Sequence, residues 1–128
     1  IRSPLYRNYA YHVPYELDIQ KMNMAKKYLL GIHDFKAFMS SGSSIVDTVR
    51  TINSISLTKR DSLIFFQIEG NGFLYNMVRI IVGTLIEIGN GKITHNSIPR
   101  ILESKDRNIA GHTAPARGLY LEKVFYQN

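Results

Sequence analysis

The spacing of apolar and polar residues changes along this chain and marks out a series of elements. Residues 5–13, LYRNYAYHV, are aromatic-rich and bounded by Pro4 and Pro14, which predicts a short or edge strand. Asp18 is placed to N-cap a helix running to Leu30, with Met22, Ala25, Tyr28 and Leu29 as its apolar stripe and Gly31 as its stop. HDFKAFM, 33–39, reads as a helical turn with Phe35 and Phe38 inward, and SSGSS, 40–44, as a polar loop. Residues 46–58 alternate through Val46, Thr48, Val49, Ile52, Ile55 and Leu57, and the one slip of phase predicts a bulge. Lys59-Arg60-Asp61 supplies a turn, and 62–70 completes an antiparallel hairpin. A strongly apolar helix is predicted over 74–89, ended by GNGK. A further helix runs from Thr94 or Ser97 to Lys105, with Pro99 in its first turn. A loop fills 106–118, and 119–126 alternates as a last strand. Strands and helices do not alternate as crossover units. The order therefore predicts an α+β fold in one domain, with helices on one face of a mainly antiparallel sheet.

The 74–89 segment poses the sharpest question. At about 100° per residue, Leu74, Met77, Val78, Ile81, Leu85 and Ile88 form one stripe, the core face. Arg79 points the other way, with Tyr75 and Asn76 a turn before it and Gly83 a turn after. Ile80, Val82 and Ile86 flank that second face, so it reads as a second contact surface holding one cation. A buried guanidinium without a partner is costly, so Arg79 requires an anion or an exit to water. The nearest acid on the wheel is Glu87, eight residues away, so a more distant carboxylate, another domain or a phosphate fits better.

Composition narrows the partners. The 128 residues are 45% hydrophobic, enough for one core, and no apolar run is long enough to span a membrane. There is no cysteine, hence no disulfide framework, and the chain suits a reducing compartment. The net charge of +6 favours an anionic partner such as nucleic acid, or marks no more than a basic surface. His12, His33, His95 and His112 form no metal-binding spacing. Gly70-Asn71-Gly72 matches no phosphate-loop pattern and reads as a tight strand-to-helix turn. Ser41 and Ser43 offer hydroxyls to phosphates or simply form a flexible loop, and Arg50 is a solvated strand arginine or an RNA contact. The residues by themselves show no self-contained catalytic set.

Three segments carry a resemblance to one family. GNGFLYNMVRIIVGTLIEIGNGK (70–92), HDFKAFMSSGSSIVDTVRTI (33–52) and LESKDRNIAGHTAPARGLYLEKVFY (102–126) resemble, in order, signature segments of the tRNA pseudouridine synthase A family. The resemblance implies a cytoplasmic, homodimeric enzyme with basic RNA-binding surfaces. Such an enzyme isomerises uridine to pseudouridine in the tRNA anticodon stem-loop without a metal or organic cofactor. The base is flipped from its stack, and an essential aspartate acts at the base or the sugar. The family fold is two α+β halves with the cleft between them. Its aspartate lies in a GRTDAGVHA-like motif of the N-terminal half, which Asp18, Asp34, Asp47, Asp61 and Asp106 do not match. The chain thus resembles the C-terminal half, a single domain over 1–128 expected to be inert without its partner half. By position, Arg79 matches the arginine that pairs with the aspartate, and Leu119 the leucine that lines the uracil pocket. Asn71, Phe73, Tyr75, Met77 and Val78 fall in the segment expected to shape the pocket floor. Lys36, Ser41, Ser43 and Arg50 are the expected RNA contacts. Arg79 is then expected to face solvent, an anion or another molecule.

Overall fold

The structure, a computed structural model, describes residues 4–121. Among the described residues five strands make one sheet: β1 (Leu5–His12), β2 (Gly31–Asp34), β3 (Val49–Arg60), β4 (Leu63–Gly70) and β5 (Leu119–Tyr120). Their order is β2-β3-β4-β1-β5, and every neighbouring pair is antiparallel. Three α-helices join them: α1 (Ile19–Lys26), α2 (Met77–Gly89) and α3 (Ile98–Ser104). This is the α+β fold that the pattern predicts.

The hairpin β3–β4 follows from strict alternation. Ile64, Phe66 and Ile68 of β4 are buried, while the residues between them are exposed or half-exposed. On β3, Ile52 and Ile55 are buried across a register shift between Ile52 and Ser54, the predicted bulge. The strand begins at Val49 rather than Val46, which is 95% exposed. The turn sits one residue later than the charges suggest, because Asp61 takes a left-handed φ of 53° and Arg60 pairs with Leu63.

Asp18 caps α1 as predicted, its carboxylate accepting from Lys21 N at 3.0 Å. The helix then tightens into a 3-10 turn over Lys27–Leu29. Tighter winding rotates the stripe, so Met22, Ala25 and Leu29 are buried but Tyr28 is exposed. Gly31, at φ 96°, stops the helix and also opens β2, an element absent from the pattern reading. The predicted turn at 33–39 shrinks to Lys36–Phe38, with Phe35 and Phe38 buried as expected.

α2 is buried almost all round, the pattern of a central core helix. Its C-terminal end packs on α1, where Gly89 admits the Met22 thioether and Gly89 O accepts from Asp18 N at 2.9 Å. The core is one cluster running from Tyr9, Phe66 and Ile68 on the sheet through Ile81 and Leu85 to Met22 and Ile101. The last predicted strand is described for Leu119 and Tyr120, and its continuation to 126 lies outside the described residues. Among the described residues no helix is long and apolar enough to cross a membrane.

Candidate functional site

The link from β4 to α2 builds one wall of a small pocket. Asn71 straps this link to the sheet: its Oδ1 accepts from Thr51 N at 2.9 Å and its own N donates to Thr51 O at 3.0 Å. A side chain at Gly70 would collide with Thr51 O, so the close approach of the two backbones needs glycine there. Phe73 then lies under Arg7 of β1, whose guanidinium carbon is 5.2 Å from the ring centroid. Asn76 takes a left-handed backbone and delays α2 to Met77, three residues after the predicted start at Leu74. The resulting pocket, about 130 Å³, is lined by Arg7, Phe73, Leu74, Asn76, Met77, Val78, Arg79 and Leu119.

Arg79 is half-buried and held on two sides. Its Nε donates to Ala114 O at 2.7 Å, and Nη1 donates to Asn76 Oδ1 at 2.9 Å. Of five guanidinium N–H groups, three have no partner among the described residues. No described carboxylate forms an ion pair with it, and Glu87 is engaged elsewhere, 2.6 Å from His112 Nδ1. The bonds to Ala114 and Asn76 satisfy geometry without cancelling charge. The arginine lies at the pocket wall, which Arg7 also lines.

The second face of α2 is not a free docking surface. The chain's own loop, 110–115, covers it. A Cβ on Gly83 would lie 1.8 Å from His112 O, so this loop sits directly on the helix backbone. Gly111 N donates to Thr84 Oγ1 at 2.8 Å, His112 N to Glu87 Oε2 at 2.7 Å, and Ala114 N to Arg79 O at 3.0 Å. The expectation of a second contact surface around Gly83 holds, but its occupant is intramolecular. The loop, not a partner chain, lies against the helix at Gly83 and Thr84.

The same loop is braced from its other side. Arg107 donates to Gly111 O at 2.8 Å and to Thr113 Oγ1 at 2.9 Å, and burial lowers its pKa from the ordinary arginine value. Tyr9, buried on β1, donates its hydroxyl to Pro115 O. Burial, reinforced by Tyr11, pushes the Tyr9 phenol up to about 12. Tyr11 OH lies 3.0 Å from His112 Nε2, and burial raises its pKa as well. Beyond Gly118, packed on the Tyr9 ring, the chain enters β5 and delivers Leu119 opposite Tyr9 and into the pocket wall. One braced loop thus sets both Ala114, which holds Arg79, and Leu119.

Of the residues named from the sequence, Phe73, Met77, Val78, Arg79 and Leu119 meet around this pocket. Asn71 and Tyr75 do not line it. Asn71 is spent on the Thr51 backbone, and Tyr75 is 60% exposed, on a turn whose carbonyl accepts from Ser40 N. Lys36, Ser41 and Ser43 stand outside the pocket, with Lys36 and Ser41 exposed and Ser43 Oγ accepting from Ile45 N. Arg50 donates to Asp47 O and Val49 O and lies beside Gly72. Arg7 and Asn76 were missed. Arg7 reads as a solvated strand residue, and an asparagine that bridges rather than caps leaves no mark in the pattern. Among the described residues no three histidine or acidic side chains gather as metal ligands.

The chain is similar to known proteins. A family model described as tRNA pseudouridine synthase matches residues 25–127. The tRNA pseudouridine synthase A of Acetivibrio thermocellus is 56% identical over 124 residues, covering 97% of this chain and 51% of that protein. That of Thermoanaerobacter sp. is 53% identical over 125 residues, covering 98% and 51%. That of Geobacillus sp. is 50% identical over 127 residues, covering 99% and 51%. The chain spans about half the length of these curated relatives.

Proposed function

The chain belongs to the tRNA pseudouridine synthase family, and on that footing we propose that it is the C-terminal half of an enzyme that converts uridine to pseudouridine in tRNA. One observation carries the reading. A small pocket has two cations, Arg7 and Arg79, an apolar side that includes Leu119, and no acid among its lining residues. Among the described residues, Arg79 keeps N–H groups without a partner at that wall. Such a site is half of a catalytic arrangement: it takes a flat, apolar-faced base and an anionic group, and supplies no proton acceptor of its own.

In this proposal the anion is the catalytic aspartate of the upstream half, paired with Arg79 across a cleft. The pairing holds the carboxylate ionised and oriented for attack on the target nucleotide. Leu119, Met77 and Val78 press on the flipped uracil while its glycosidic bond breaks and the base rejoins through carbon. The 128-residue chain alone is then inert, and no cofactor is required. The substrate is the anticodon stem-loop of tRNA, the assembly a homodimer and the compartment the cytoplasm. Lys36, Ser41, Ser43 and Arg50 contact the RNA backbone outside the pocket.

Mapping modified positions tests this. Transcribed tRNA incubated with the natural full-length protein gains pseudouridine in the anticodon stem-loop. Modification confined to another arm of the tRNA overturns the assigned substrate. Uridines left unchanged overturn the enzyme, and a non-catalytic RNA-binding module of the same fold takes its place.

A further inference from the structure

Asn76 stands immediately before α2 with φ 59° and ψ 14°. Asparagine tolerates this left-handed backbone better than most residues. At a helix N-terminus its side chain ordinarily accepts from a backbone N–H within the first turn. Here it caps nothing. Its amide instead joins two segments: Nδ2 donates to Ser40 Oγ at 2.9 Å, and Oδ1 accepts from Arg79 Nη1 at 2.9 Å. Chemistry fixes that orientation, because a guanidinium only donates and must meet the amide oxygen. A second bond, Ser40 N to Tyr75 O at 3.1 Å, seats the start of the 40–48 segment on the same turn. Ala114 O grips Arg79 at Nε independently, so Asn76 supplies the second point that fixes the guanidinium plane.

Resting on the reading above, we infer that Asn76 is a positioning residue: it aims the Arg79 guanidinium at the pocket and, through Ser40, ties that aim to the seating of the 40–48 loop. Its neutrality matters. A carboxylate at this position would hold Arg79 equally well but would take the charge that the pocket reserves for its incoming anion.

Two variants of the natural full-length protein test the inference. Asn76→Gly keeps the left-handed backbone and removes only the amide. It is expected to lower kcat about ten- to hundredfold, as a small misplacement of a catalytic group does, with the KM for tRNA and the melting temperature close to wild type. Asn76→Asp is expected to fold at least as stably as wild type yet to lose kcat, a split that a merely structural role does not produce. A wild-type kcat in Asn76→Gly, or full activity in Asn76→Asp, overturns the inference. Side-chain ¹⁵N spectra give a readout that needs no activity: the Arg79 guanidinium is rotationally restrained in wild type and freed in Asn76→Gly. Equal restraint in both also overturns it. A wild-type protein that makes no pseudouridine instead sinks the function reading, and the spectra then decide the role of Asn76.

Discussion

Arg79 gains its importance from what surrounds it. Its Nε and Nη1 are held by neutral oxygens of Ala114 and Asn76, so its charge stays available at the pocket wall. A lysine keeps the charge but lacks the planar fork, and no single ammonium can reproduce both bonds with the same aim. In the full-length protein, Arg79→Lys is therefore expected to lose activity about as severely as Arg79→Ala. Both variants should retain tRNA binding and a cooperative melt. Lysine activity near that of wild type would show that charge alone is needed. This residue was legible in the sequence because a cation within MVRIIV breaks the pattern of a core helix. Asn76 and Arg7 were not. One works through a backbone angle and a bridge to Ser40, the other through stacking on Phe73, and neither contact is local in sequence.

The pairing of α2 with the loop over 106–118 sets the site's geometry. The loop lies on the helix backbone at Gly83, where an added methyl would meet His112 O. Gly83→Ala should destabilise the domain by about 3 kcal/mol, or lift the loop and disorder Ala114 and Leu119. Chemical denaturation together with a structure of the variant would distinguish these outcomes. Thr84 makes a second anchor, donating to Ile80 O at 2.7 Å and accepting from Gly111 N, both buried. Thr84→Val keeps the shape and strands the Gly111 N–H, at a cost of about 1–3 kcal/mol in a denaturant titration. Elements with a strong period were readable from the sequence. β4 alternates without fault, and the slip between Ile52 and Ile55 gives the bulge away. β2 was unreadable because its four residues, exposed or half-buried, carry no alternation. The lock between α2 and the loop was readable only as a demand for close approach at Gly83. Glycine shows that something comes near but does not say what.

Across the molecule, buried phenols tie stability to pH. Tyr9 has its pKa raised from 10.0 to about 12, so the folded state holds the neutral form while the unfolded chain ionises. The contribution is complete below pH 10 and is lost as pH rises towards 12. Tyr11 is shifted the same way and adds to the loss. Melting curves between pH 8 and 12 should therefore fall steeply above pH 10, and Tyr9→Phe should flatten that fall while lowering stability at pH 8. A net charge of +6 predicts that tRNA binding by the full-length protein weakens steadily as salt rises. In the proposed function the chain supplies one side of a two-sided active site, with Arg79 as its charged contact. The most direct measurement counts pseudouridine in transcribed tRNA after incubation with the natural full-length protein and with its Arg79→Ala variant, with tRNA binding measured for both. The expected result is pseudouridine from the wild type, and a loss of about 10²–10³-fold or more in a variant that still binds tRNA. Equal pseudouridine from the two proteins would contradict it.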